Sequence, residues 1–235
     1  MSHYDYLKDF IKEHRLKECL LEFQGATEGM TRAEREACVE VAFESLAKKF
    51  IYGGYLQVNY NGEELYRIEI RNTEFYYHEE NGVVEDNYVY HRNGKFPGRS
   101  VPYFPLMTIH SHWSGFDITF ENPKKEYRAS VLIREYAVYD VKAGKYIHDI
   151  RWDSDNKVTR SILDDKAQKN ESSSYLTFFL NGFSLEEDAK PNVVWKDTLP
   201  QPDGDIVRKR RKGIDWRDPL TEKVKDERKW AFSRK

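Results

Sequence analysis

The first fifty residues have the apolar spacing of helices. One helix is predicted over residues 4–23, and a second is predicted to begin after Thr31 and to run to about Phe50. In the segment TRAE, Glu34 stands three residues after the Thr31 hydroxyl, which is the reciprocal capping pattern of a helix start. Both helices are therefore expected to be structural.

The chain after these helices changes to the alternating pattern of β-strands. Two β-rich runs flank Asn61-Gly62, a dipeptide that tolerates the positive φ angles of a tight hairpin turn, and the second run is predicted to end near Tyr77. After a polar stretch at 79–105, further strand-like runs are PLMTIHSHW, FDITF, ASVLIREYAVYD, KYIHDIRW, RKRRKGIDW and RKWAFSRK. The segment AKPNVVWKDTLPQPDGD predicts a loop. This order of elements predicts an α+β protein.

One carboxylate, Glu74, stands in an unusual place in this pattern. Ile68 and Ile70 occupy even positions of the second hairpin strand, so alternation places Glu74 and Tyr76 on the same inward face. A buried carboxylate is costly unless it is paired or functional. Glu74 is therefore the first candidate for a catalytic residue, beside the aromatic pair Tyr76 and Tyr77.

Length and composition indicate one aromatic-rich domain. Only 39% of the 235 residues are apolar, but 5 Trp, 16 Tyr and 13 Phe supply large areas for a core. We expect a single domain over 1–235, with N-terminal helices over 1–50 and an insertion over 148–202.

The cysteines and the N-terminus indicate the compartment. The two cysteines, Cys19 and Cys38, fall in predicted helices, which fits a reducing environment better than a disulfide framework. The N-terminus is charged and has no apolar signal core, and no stretch approaches the roughly 18 apolar residues of a membrane span. We expect a cytoplasmic protein without a membrane partner.

Charge is distributed unevenly along the chain. The net charge is −2, but residues 206–235 contain 12 Lys or Arg and 5 Asp or Glu, which leaves −9 on the preceding residues. Five successive cations run from Arg208 to Lys212, and alternation on a strand would place Arg208, Arg210 and Lys212 on one side. This predicts a polyanionic partner; a solvated basic end is the alternative.

Familiar catalytic motifs are missing, which narrows the chemistry. The sequence has no GxxxxGK[ST], GxGxxG, HExxH or GxSxG, so Walker-type nucleotide hydrolysis is not expected. His110 and His112 in HSHW share a strand face as metal ligands do, but such pairs are more often polar neighbours, and we expect no metal and no cofactor. Glu74, His91 and Arg134 remain, as a base, a polar orienting group and a cation that holds an anion or a water.

Four short motifs follow one another along the chain: IRNTEFYY, YVYHRNG, HWSGFDITFEN and ASVLIREY. Their order resembles the alkyladenine (3-methyladenine) DNA glycosylase family, in which a Thr-Glu-Ala-Tyr strand, a loop histidine, a Tyr-Gly strand leading to an asparagine, and LLRA or LIRA follow in turn. The end, RKRRKGIDW to RKWAFSR, looks like the family's PRIGI and WRFY. The similarity covers roughly 46–234. It implies a central curved antiparallel sheet flanked by helices, also similar to formyltransferase C-terminal domains.

The resemblance implies roles for individual residues. Glu74 matches the carboxylate that activates water for attack on the sugar C1′, and Arg134 matches the arginine that holds this water. Tyr76 matches an aromatic that stacks on a flipped base, and His91 matches the pocket histidine. Further substrate-binding candidates are Tyr77, His110, His112, Asp117 and Asn122, the last near the family's base-discriminating asparagine. DNA is the implied partner, contacted by Arg208, Arg210 and Lys212.

The sequence departs from the family at its intercalating tyrosine, where Ser114 precedes Gly115. Neighbouring Trp113 would face the other side of a strand. Three functions therefore stay open. The first is hydrolysis of the N-glycosidic bond of a modified purine after base flipping, and the second is the same reaction on a small nucleotide-like molecule or a single strand. The third is a non-enzymatic nucleic-acid or protein-binding module in which Glu74 is a buried structural acceptor.

Overall fold

The computed structural model describes residues 3–23, 29–60, 62–86, 88–89, 102–112, 115–152, 158–160, 193–198, 204–212 and 227–235. Its helices are α1 (His3–Glu13), α2 (Leu16–Leu21) and α3 (Arg32–Tyr52). Its strands are β1 (Gly54–Tyr60), β2 (Glu63–Glu79), β3 (Ile109–His112), β4 (Gly115–Thr119), β5 (Tyr127–Asp140), β6 (Lys145–Trp152), β7 (Val158–Arg160), β8 (Val193–Asp197), β9 (Ile206–Lys209) and β10 (Ala231–Arg234). None of the described helices is long and apolar enough to cross a membrane.

The helix starts follow local chemistry. The Thr31 hydroxyl accepts from the Glu34 backbone N–H, and the Glu34 carboxylate accepts from the Thr31 N–H at 2.8 Å, which confirms the predicted capping box. The predicted first helix is instead divided into α1 and α2, because Arg15 is extended. Buried Lys49 donates to the His14 carbonyl at 2.5 Å and so ties this break to α3.

The strands form an antiparallel sheet in which the long β2 is central. The order is β3-β4-β5-β2-β1-β8; β10 pairs with β2 and β9, and β6 pairs with β5 and β7. The mixed α+β class is confirmed. The loop predicted around residue 195 is wrong in its centre, because β8 pairs with β1 there. The likeness to the glycosylase fold stays a prediction.

The core lies between the helices and one face of the sheet. Phe43 of α3 stacks on Phe75 of β2 with ring centroids 4.6 Å apart, and Phe50 packs on both Phe75 and Trp195. These aromatic contacts join α3 to strands on both sides of β1. The helices thereby leave the opposite face of the sheet for other contacts.

A register shift in β2 decides the direction of Glu74. The pairing of β2 with β5 shifts between Ile70 and Thr73, so Ile68 and Phe75 both reach the core although they are an odd number of residues apart. Glu74 therefore points to the face opposite Ile68, and the predicted face shared with Ile68 and Ile70 is wrong, whereas the face that Glu74 shares with Tyr76 is confirmed. The predicted burial is nevertheless confirmed, because Glu74 is only 1% exposed.

Candidate functional site

The sheet face opposite the helices carries a row of chemically active side chains. His110 of β3 pairs with Asp117 of β4, Asp117 pairs with Leu132 of β5, and Leu132 pairs with Glu74 of β2. Directly opposed residues in antiparallel strands share a face. We call His110, Asp117, Leu132 and Glu74 the site row.

Among the described residues, one cation and two hydrogen-bond donors contact the Glu74 carboxylate. The Arg134 Nε lies 2.9 Å from Oε1 of Glu74, and the Lys212 backbone N–H donates to the same oxygen at 2.9 Å. The Tyr76 hydroxyl donates to Oε2 at 3.1 Å. Arg134 also donates through Nη2 to the Lys212 carbonyl at 3.1 Å. A buried carboxylate needs such partners, and together they fix the orientation of the Glu74 carboxylate.

Asp117 is the second carboxylate of the row. The pKa of Asp117 is raised from 3.8 to about 7, first by burial and secondly by the charge of Glu74, while Arg134 and a hydrogen bond with Ser130 oppose the rise. The two carboxylates therefore differ in their surroundings, because Arg134 forms an ion pair with Glu74, whereas burial is the main influence on Asp117. Such pairs divide acid and base roles in hydrolytic enzymes.

Tyr76 contacts Glu74 and is covered on part of its ring. The Arg211 guanidinium carbon lies 4.6 Å from the centroid of the Tyr76 ring, in cation–π geometry. Burial, and secondly the Glu74 carboxylate, hold the pKa of Tyr76 well above its ordinary range. The hydroxyl is thus a neutral donor to Glu74. Because Arg211 covers one ring face, a stacked base would have to use the other.

An ion pair that the sequence did not reveal anchors the segment over Glu74. Buried Arg211 donates to both Asp86 oxygens, at 2.5 Å and 3.1 Å, and to the Phe75 carbonyl at 3.1 Å. Asp86 also accepts from the backbone N–H groups of Tyr77 and Tyr88. The next residue after Arg211 is the one whose N–H reaches Glu74. In a run of five cations, nothing in the sequence distinguishes Arg211 from its neighbours.

Two residues predicted to bind substrate make contacts within the protein. Tyr77 lies on the core face, is 2% exposed and donates to Glu79 at 3.1 Å. Tyr77 faces away from Glu74 because successive strand residues alternate. The Asn122 side chain accepts from the backbone N–H groups of Lys124 and Lys125 and so caps a turn. The structure does not bring either residue into contact with Glu74 within the described part of the chain, and their substrate-binding roles stay predictions.

The three candidate histidines are placed unequally. His110 lies in the site row with its ring 4.3 Å from that of Phe104, and burial lowers the pKa of His110. His112 belongs to β3, but its side chain lies outside the described part of the structure. His91 lies wholly outside it, as do Trp113 and Ser114, so the role of His91 stays a prediction.

The basic run does not form the predicted one-sided stripe. Strand β9 ends at Lys209, and Arg211, two residues further on, is buried in the protein. Arg208 forms ion pairs with Glu40 and Glu44 of α3. Arg210 forms an ion pair with Glu227. Lys212 contributes its backbone to the site, and burial lowers the pKa of its amine. Nucleic-acid binding by Arg208, Arg210 and Lys212 stays a prediction.

A second ionic cluster lies on the same face, nearer the other end of β5. Arg128 is fully buried, forms ion pairs with Glu80 and Glu121, and lies 4.1 Å from the Tyr103 ring centroid. Burial raises the pKa of Glu121 to about 7. This cluster resembles the site row in charge and burial but does not contact Glu74 in the described residues. Glu121 is therefore a suitable control for Asp117.

Within the ranges that the structure describes, no group of three or more His, Cys, Asp or Glu side chains is placed to hold a metal ion. No protein-family model and no curated protein matches the sequence. The resemblance to the glycosylase family therefore rests on the order of the motifs alone.

Proposed function

We propose that this protein hydrolyses the N-glycosidic bond of a modified purine in DNA, on a glycosylase-like fold, with Glu74 as the general base. The observation that carries the proposal is the contact of Glu74 with Arg134 and Tyr76 on a polar sheet face. These residues stand in the motif positions that the family resemblance assigns to the carboxylate, the arginine and the stacking aromatic. A buried, oriented carboxylate beside a cation is suited to activating water.

The proposed reaction is a displacement by water. The Glu74 carboxylate takes a proton from water as its oxygen forms a bond to C1′ of the sugar. The bond from C1′ to the purine nitrogen breaks, and the purine leaves with the bonding electrons. Arg134 stabilises the negative charge of Glu74 and orients it. Because Glu74 is 1% exposed, the site has to open before a substrate reaches its carboxylate, and the Lys212 backbone is one of the groups in contact with it.

A second candidate substrate is a small nucleotide-like molecule or a single strand. The specific observation in its favour is the pairing of Arg208 and Arg210 with carboxylates of the protein itself, which reduces the charge free to meet a duplex. The absence of the family's tyrosine at Ser114 points in the same direction, since a small substrate needs no wedge in a base stack.

The test is an assay of released bases. The purified protein is incubated with alkylated duplex DNA, with the same DNA as a single strand, and with 7-methylguanosine, and free bases are quantified. Release from the duplex that is lost in Glu74→Gln and kept in the matched variant Glu121→Gln is the expected result. Release only from the single strand or the nucleoside favours the second candidate. No release from any substrate overturns both and leaves the binding module.

A further inference from the structure

We infer that Asp117 is the proton donor of the site, giving a proton to the departing purine while Glu74 takes one from water. This inference rests on the proposed function and adds a second catalytic residue to it. The family resemblance placed Asp117 only among substrate-binding positions. The geometry of the site row points to a different role for its carboxyl group.

The placement of the two carboxylates suits a pair acting on opposite sides of one bond. Glu74 and Asp117 are both strand partners of Leu132, so their side chains share a face and two interstrand steps, about 9.6 Å at the usual strand spacing, separate their backbones. Enzymes that cleave glycosidic bonds by direct attack of water separate their two carboxyl groups by roughly 6.5 to 9.5 Å, a distance that side chains on such backbones can span. Apolar Leu132 lies between them on the same face and carries no competing proton.

Burial, and secondly the charge of Glu74, favour a neutral carboxyl group at Asp117, whereas the charge of Arg134 favours the ionised form. Glu74 approaches from β2, Arg134 from β5, and His110 is its partner on β3, while Ser130 supplies a hydrogen bond. Arg134 contacts Glu74 directly, and burial holds the pKa of Asp117 at about 7. Asp117 is therefore partly protonated at neutral pH, which is the state a general acid needs.

The proton balance of the step is complete with these two groups. Water loses a proton to Glu74 and forms the new bond to C1′. The electron pair of the broken bond moves to the purine, and the Asp117 proton is transferred to a ring nitrogen of that purine. Glu74 ends protonated and Asp117 ionised, and exchange with solvent restores both.

The test uses two leaving groups that differ in their need for a proton. Hypoxanthine leaves as an anion unless it is protonated, whereas 7-methylguanine carries a positive charge in DNA and leaves neutral. Asp117→Asn should lower hypoxanthine release about 10²- to 10⁴-fold, the usual effect of losing a general acid, and leave 7-methylguanine release nearly unchanged. Wild-type hypoxanthine release should fall above about pH 7, because Asp117 then loses its proton.

Two further variants separate the acid role from a structural one. Asp117→Glu keeps an acid and should recover part of the hypoxanthine rate together with its fall at high pH. Glu121→Gln, which removes a buried carboxyl of similarly raised pKa, should leave the ratio of the two rates unchanged. Thermal unfolding of each variant checks that it is folded.

Each remaining outcome decides against the inference in its own way. Equal losses of both rates in Asp117→Asn would mean that Asp117 maintains the site without donating a proton. No loss of either rate, or wild-type release of 7-methylguanine alone, would overturn the acid role while the proposed function stands. If the wild-type protein releases neither base, the proposed function fails and the acid role fails with it.

Discussion

The Arg134 Nε lies 2.9 Å from Oε1 of Glu74, and the two side chains are 7% and 1% exposed. Water therefore does little to screen the pair or to replace either partner. Removing one member of such a pair leaves a buried charge without a partner, which is costly in free energy, whereas removing both members leaves no buried charge. This asymmetry makes the role of the pair in stability separable from its role in chemistry.

Glu74→Gln is expected to lower base release about 10²- to 10⁴-fold, because an amide cannot accept the proton from water. The amide oxygen still accepts from Tyr76 or Lys212, so the variant should remain folded, although less stable than the wild type. Base release and chemical denaturation are measured on the same preparation. Undiminished turnover would show that Glu74 is not the base.

Arg134→Met should destabilise the fold by about 3 to 5 kcal/mol, since Glu74 is left buried without its cation. The double variant Glu74→Gln, Arg134→Met should be destabilised by less than the sum of the two single variants. Urea unfolding at neutral pH measures all four proteins of this cycle. Strictly additive changes would contradict the pairing.

Asp117 should make the protein less stable as pH rises. Its pKa is about 7 in the folded protein and near 3.8 in the unfolded chain. Between pH 3.8 and pH 7 the folded state therefore retains a proton that the unfolded state has lost. The free energy of unfolding then falls from about pH 3.8 to about pH 7 and levels off above. Asp117→Asn does not titrate.

The stability of Asp117→Asn relative to the wild type should accordingly increase between pH 4 and pH 8. Denaturant unfolding across this range measures the difference. Glu121→Gln should behave in the same way, because burial also raises the pKa of Glu121 to about 7. A difference that is constant with pH would refute the raised pKa of the residue concerned.

Nucleic-acid binding, if present, should depend on the basic run less than the sequence predicted. If Arg208, Arg210 and Lys212 lay on one side of a strand, replacing all three with Ala would flatten the slope of log affinity against log salt concentration by about two to three units. Because both arginines already pair with carboxylates, we expect a change of about one unit or less. Binding to duplex DNA is measured from low to moderate salt.

Glu40→Gln with Glu44→Gln is the matched variant for this measurement. It frees Arg208 and should steepen the slope by about 0.9 if that residue then meets a phosphate. A flattening of two units or more in the triple variant would show that the ion pairs open on binding. No binding by the parent protein at low salt would favour the small substrate.

Local chemistry was sufficient to predict several elements from the sequence. Thr31 and Glu34 start α3, and the turn after Tyr60 contains Gly62 with a φ of 82°, as a tight hairpin requires. The prediction of β6 over KYIHDIRW agrees with the structure at both ends. These features depend on residues within a few positions of one another, so the sequence alone determines them.

Features that depend on distant residues were decided by the tertiary structure. Alternation could not show the register shift near Ile70, because the shift is a property of the pairing with β5. The partners of Glu74 include Lys212, which is 138 residues away, and buried Arg211 is paired with Asp86, which is 125 residues away. The sequence by itself determined that Glu74 is a carboxylate within a long strand, whereas its burial was predicted from a face that the register shift changed. Only the fold decided its face and its partners, because long-range strand pairing sets both.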